Sequence, residues 1–415
     1  MDYFVITTVL VLFSALFGYL NTRFVKLPNT IGLTVITIAF TLGVFALSAF
    51  DSTLLEAERY ILSQIDFRTV LLDLMLGFLL FAGALHTDLE KLKEQKWPVL
   101  LFATFGVLVS TFLIGGATFF VLGLVGLEVP FIYCLLFGSL ISPTDPIAVL
   151  GILKKVGAPE KLEIKIVGES LFNDGVGVVV FLTLFGMAAG GWEAVSVTEI
   201  LSLFLLEVFG GLLLGIVMGW ITYRMMRTID EYDIEVILTL AMVMTGMVLA
   251  QYLHVSGPLA MVAAGLMIGG THSRNQAMSE TVELYVDKFW ELIDILLNTI
   301  LFVLVGMEML VLEVETEYVI AGVMMIPIAL VCRHVSLYLP IKIYEKRLNF
   351  VKHTHVVMTW GGLRGAISIA LALSLAEDMY RDLFLVVTYI VVIFSIIVQG
   401  LSVGALVSRL RKWWE

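Results

Sequence analysis

Apolar runs of about 18 or more residues recur along the whole of this chain, each enough to cross a ~30 Å hydrocarbon layer as a helix. A chain built this way must satisfy lipid before water. Its composition agrees: 60% of the 415 residues are hydrophobic and 15% are charged, a balance outside the range of soluble domains. The formal charge of −11 says nothing about nucleic acid, but no loop holds more than four basic residues together, so no nucleic-acid partner is expected. Cys134 and Cys332 both fall in apolar runs, so no disulfide framework or zinc spacing is available. No Lys or Arg precedes the first run, which therefore reads as a retained span and not as a signal peptide.

The runs predict 13 spans, at 3–20, 31–50, 69–86, 98–125, 131–153, 164–187, 198–223, 235–251, 257–270, 285–311, 317–340, 354–375 and 382–408. Loops after odd-numbered spans carry 20 basic residues, and loops after even-numbered spans carry only Arg59, Arg68 and Arg381. The positive-inside rule then places the N-terminus outside and the C-terminus in the cytoplasm, in a plasma membrane of the bacterial inner-membrane kind. A miscounted span would scramble the alternation from that point on. The short stretch 409–415 reads as a cytoplasmic tail, and no regulation through a soluble domain is expected from it.

Two spans are interrupted. The fifth contains "SPTDP" at 142–146, where two prolines stop an ordinary helix; Pro146 suits the first turn of a new half-helix, with Asp145 or Thr144 as its cap. The twelfth contains "GGLRGA" at 361–366, whose glycines permit unwound backbone. Irregular backbone at membrane depth is tolerated only inside protein or beside a water-filled cavity, and paired interruptions mark the site of a secondary transporter. The pairing works here. With the span at 198–227 as a linker, 1–187 and 235–408 form two six-span halves, each broken in its fifth member, and the halves start on opposite sides of the membrane. The repeat is inverted.

Charge at depth is the second constraint, because an unpaired charge at the bilayer centre costs at least ~2.5–3.5 kcal/mol. Asp145, Glu169 and Asp174 lie well inside spans, as do Arg333 and Arg364; ionised together, the five carry a net charge of −1, which one proton or one monovalent cation neutralises. In "ESLFNDG" at 169–175, Ser170 and Asp174 share one helix face and Glu169 and Asn173 the next. Carboxylates, a hydroxyl and the Thr144 carbonyl suit a hard cation, not zinc or copper. Burial favours the neutral form of a carboxyl group, so a proton and a cation can compete for the same oxygens. That competition is the chemistry of an exchanger. Asp73, Glu207 and Glu308 stand near span ends, where a structural role is the simpler reading; Asp294, four residues before Asn298, reads equally as an entry-funnel residue or a cap.

Four segments, "SPTDPIAV" at 142–149, "GESLFNDGVGVV" at 168–179, "LNTILFVLVGMEM" at 297–309 and "GGLRGAISIALAL" at 361–373, resemble the sodium/proton exchanger branch of the monovalent cation:proton antiporters. This branch includes bacterial NhaP-type antiporters and animal sodium/hydrogen exchangers. The resemblance implies an all-α integral membrane protein with the NhaA-like antiporter fold: about 13 transmembrane helices, two crossed broken helices, and assembly as a homodimer in the lipid bilayer. It implies a secondary active transporter and not an enzyme, without a cofactor, moving Na+ (Li+ or K+ as alternatives) against H+. By the matched motifs, Asp174 looks like the ion- and proton-binding carboxylate, Asp145 and Thr144 match the broken-helix crossing, and Glu169 and Ser170 stand beside the site. These five form the expected Na+ ligand set. Arg333 looks like the partner of Glu169, and Arg364 like the arginine of the second broken helix, offsetting half-helix dipoles. Asn173 occupies the position whose amide form accompanies electroneutral exchange in this family.

Two rival functions share some of these features. A K+/H+ exchanger or cation efflux protein would use the same scaffold, since selectivity rests on small differences in ligand distance. An intramembrane aspartyl protease also uses two membrane aspartates, but it needs a Gly-x-Gly-Asp motif that this chain lacks.

Overall fold

In hydrocarbon every backbone N–H and C=O must find a partner within the protein, and a helix does this locally. The computed structural model, which describes residues 3–48, 69–145, 147–190, 197–308, 314–348 and 350–414, is helical accordingly. Its helices are α1 (Tyr3–Leu20), α2 (Asn29–Ser48), α3 (Thr69–Leu85), α4 (Leu89–Glu94), α5 (Lys96–Val125), α6 (Phe131–Ile141), α7 (Ile147–Val156), α8 (Glu160–Gly190) and α9 (Val197–Met226). They continue with α10 (Tyr232–Leu253), α11 (Gly257–Gly269), α12 (Thr271–Ala277), α13 (Glu280–Glu308), α14 (Thr316–Leu348), α15 (Thr354–Gly361), α16 (Ala366–Leu373), α17 (Arg381–Phe394) and α18 (Gly400–Leu410). A π-helical turn, Ser395–Gln399, joins the last two. Pro146, expected to open a half-helix, lies outside the described residues.

Among the described residues nine helices are long and apolar enough to cross a membrane, with α17 through α18 taken as one. The other four expected spans coincide with shorter pieces. Thr69–Leu85, Phe131–Ile141 and Gly257–Gly269 are shorter apolar helices, and the twelfth expected span is divided into α15 and α16. The reason is visible in two of these cases: backbone at 142–145 and 362–365 leaves the helix where the prolines and glycines fall.

The two interruptions meet. Asp145 and Leu363 form an isolated antiparallel bridge, in which the Asp145 N–H donates to the Leu363 carbonyl at 2.8 Å. So close an approach requires glycine alongside it, since a Cβ at Gly365 would stand 2.8 Å from that of Asp145. Beside this crossing runs α8, packed against α6, α5 and α11. Its buried face extends from Leu162 to Phe181 and includes Glu169, Ser170, Asn173 and Asp174. By contrast α9 exposes Leu201, Leu205, Phe209, Leu213 and Trp220 along its length, which suits a helix whose neighbour is lipid.

Candidate functional site at the helix crossing

Three expected site residues face one cavity. Asp145, Ser170 and Asp174 line a space of about 120 Å³, together with Leu79, Gly83, Leu150, Leu301 and Ala366 among others. Ser170 and Asp174 are one turn apart on α8, as their spacing requires. The Ser170 hydroxyl donates to the Thr144 carbonyl, which leaves its oxygen lone pairs free to act as a ligand. No hydrogen bond from a described residue reaches the Asp174 carboxylate, although Asp174 is buried and feels the charge of both Asp145 and Glu169.

Glu169 stands on the adjacent face and is occupied. Its Oε1 lies 2.6 Å from Arg333 Nη2, its Oε2 accepts from the same nitrogen at 2.8 Å, and Asn173 Nδ2 donates to Oε1 at 3.0 Å. All three residues are buried, so the ion pair is desolvated and its attraction is little screened. Asn173 also donates to Thr144 Oγ1 at 2.9 Å and accepts from the Thr144 N–H at 3.3 Å. The amide therefore clips α8 to the unwound stretch before α7. Thr144 meets the cavity only through Ser170, and Glu169 is directed toward Arg333 and Asn173.

Arg364 crosses from the second interruption to the first. Its Nη1 donates to the carbonyls of Ser142 at 2.6 Å and Pro143 at 3.0 Å, which follow the C-terminal end of α6. A guanidinium there satisfies carbonyls left without helical partners and meets the negative end of the α6 dipole.

Sequence reasoning misses two residues of this constellation. Ser395 Oγ accepts the Arg364 N–H at 2.8 Å, and Gln399 Nε2 donates to the Trp360 carbonyl at 2.9 Å. Both lie in the π-helical turn and serve backbone groups freed by the break between α15 and α16. Their signal is a polar pair four residues apart in the otherwise apolar run "FSIIVQG". Asn298 stands out in the sequence as the neighbour of Asp294 and as part of the family-like segment at 297–309, without a site role, yet it lines the cavity.

A family model described as sodium/hydrogen exchanger, transmembrane, matches residues 11–409. The chain belongs to the sodium/hydrogen exchanger family. Members of this family are membrane antiporters, secondary transporters and not enzymes. The chain is 50% identical over 402 residues to the Na+/H+ antiporter NhaP of Pseudomonas aeruginosa, covering 96% of this chain and 94% of that protein. It is 33% identical over 394 residues to the Na+/H+ antiporter NhaH of Halobacillus dabanensis, covering 94% and 93%. The fold is similar to that of the sodium proton antiporter MjNhaP1 from Methanocaldococcus jannaschii, with a TM-score of 0.76 over 98% of this chain and 99% of that one, at 19% identity.

Proposed function

We propose that this sodium/hydrogen exchanger family member is an electroneutral Na+/H+ antiporter that exchanges one cation for one proton by alternating access. The observation that carries this reading is the open Asp174 carboxylate, which shares a cavity with Asp145 and the Ser170 oxygen beside the crossing of two interrupted helices. A desolvated carboxylate with no internal partner gains most from whatever neutralises it, whether a proton or a monovalent cation. Loading either one removes the cost of carrying a bare charge through the barrier. The relatives named as Na+/H+ antiporters support Na+ as the cation.

The charge tally of the crossing supports electroneutrality. Glu169 is paired with Arg333, and Asp145, Glu169 and Asp174 against Arg333 and Arg364 carry a net charge of −1, which one proton or one monovalent cation neutralises. The cavity lies on the side of Gly83, Leu150 and Val167, which the basic-residue pattern assigns to the cytoplasm, so we read the conformation as inward-facing. Thirteen spans in two inverted halves, the N-terminus outside, the C-terminus inside and a homodimer complete the proposal.

Purified protein in proteoliposomes tests it. Na+-driven proton movement is expected from the parent and lost in Asp174→Asn while the variant still elutes and melts as a folded protein. Sustained exchange in that variant would sink the assignment, and preference for K+ over Na+ in the parent would favour the K+/H+ reading.

A further inference from the structure

The cavity has a fourth polar wall residue that does not come from the crossing or from α8. Asn298 stands on α13 and lines the same space as Asp145, Ser170 and Asp174. Its orientation is set by one neighbour. Asp294, one turn earlier on α13, accepts a hydrogen bond from Asn298 Nδ2 at 3.0 Å. An ionised carboxylate can only accept, so the amide must present its nitrogen to Asp294 and turn its carbonyl oxygen away. The flip of this amide follows from its partner.

We propose that Asn298 supplies a neutral oxygen ligand to the monovalent cation on the cytoplasmic approach to Asp174, and that Asp294 is the positioning residue that holds the amide oxygen toward the cavity. The inference rests on the antiporter reading and extends it to α13, whose matched segment at 297–309 carries no residue of the expected ligand set. Its chemical consequence is asymmetric. A carboxylate binds either a cation or a proton, whereas an amide oxygen binds the cation and takes no proton near neutral pH. Asn298 therefore strengthens one side of the competition at the site and leaves the other alone. A carbonyl-type oxygen is a suitable ligand for a hard alkali cation and replaces part of its water shell as it enters. Asp294 adds an attractive charge at the same place without having to release its bond to Asn298, because each carboxylate oxygen carries more than one acceptor site.

The test compares the parent, Asp174→Asn, Asn298→Leu and Asp294→Asn in proteoliposomes, with proton binding measured separately on detergent-purified protein without Na+. Asn298→Leu keeps the side-chain volume and removes the ligand. It is expected to raise the KM for Na+ on the order of tenfold, the loss of one charge-assisted contact, with kcat within about twofold and proton affinity unmoved. Asp294→Asn frees the amide to turn and is expected to raise the same KM by a smaller factor. If Asn298→Leu does not purify, Asn298→Ala answers the same question, with Na+-dependent protection against thermal unfolding as a second readout. A parent-like KM for Na+ in the Asn298 variants overturns the proposal. So does an equal loss of Na+ and proton affinity, which marks general damage to the cavity. The antiporter reading fails in a different way, with a parent that does not exchange or an Asp174→Asn variant that does.

Discussion

Glu169 and Asp174 are two acids on one helix, five positions apart, and both are buried. They differ in what surrounds them. Glu169 has a guanidinium and an amide within hydrogen-bonding distance, while no described side chain or backbone group donates to Asp174. The α-helix makes the difference possible: a step of five residues turns a side chain well away from its neighbour, so one acid faces α14 and the other faces the cavity. A buried carboxylate with internal partners is a structural element, and one without them is a place for an external cation or proton. Proximity in sequence conceals this division of labour.

The comparison can be broken in four places. The largest contrast is expected between Asp174→Asn and Glu169→Gln. The first removes Na+-driven proton flux altogether, and the second retains measurable flux in a less stable protein; equal loss in both would erase the distinction. Next, Arg333→Ala strands Glu169 in the interior and should cost about 3–5 kcal/mol, read as a large drop in the thermal unfolding midpoint. Replacing both partners, Glu169→Gln with Arg333→Met, should cost less than Arg333→Ala alone, since neither charge is then left buried without its counterion. If Arg333→Ala melts like the parent, the pair does not hold the fold. Smaller again, Ser395→Ala leaves the Arg364 N–H without an acceptor and is expected to lower stability by about 1–3 kcal/mol while the KM for Na+ stays put.

The smallest functional effect is expected at Asn173. Its amide is engaged by Glu169 and Thr144 and stands on the paired side of the helix, so Asn173→Asp should weaken those contacts and leave exchange electroneutral. A membrane potential generated by Na+ influx in that variant would show instead that position 173 alone sets the stoichiometry.

Much of this arrangement is legible in one dimension. The proline and glycine interruptions at 142–146 and 361–366 announce broken helices because those residues act on the backbone locally. The i,i+4 spacing alone separates the Ser170–Asp174 face from the Glu169–Asn173 face, since helical geometry fixes which side chains stand one turn apart. Local signals stop at that point. Periodicity says that Arg364 is buried and says nothing of its targets, the Ser142 and Pro143 carbonyls more than 220 positions earlier. Ser395 and Gln399 look like incidental polar residues in an apolar run until the freed backbone of Arg364 and Trp360 is placed against them. Asn298 is legible as the partner of Asp294 but not as a wall of the cavity, because that depends on how α13 packs beside α3 and α16.

The division between the two acids is tested most directly by locating the cation. Crystals soaked in Tl+, a heavy monovalent cation with strong anomalous scattering, would give a density peak at the site it occupies. The account predicts a single peak in contact with the Asp174 carboxylate, within reach of Asp145 and the Ser170 oxygen, with the Glu169–Arg333 pair unchanged. A peak bound to Glu169 with Arg333 displaced, or a cavity that stays empty at saturating Tl+ in protein that still exchanges, would contradict it.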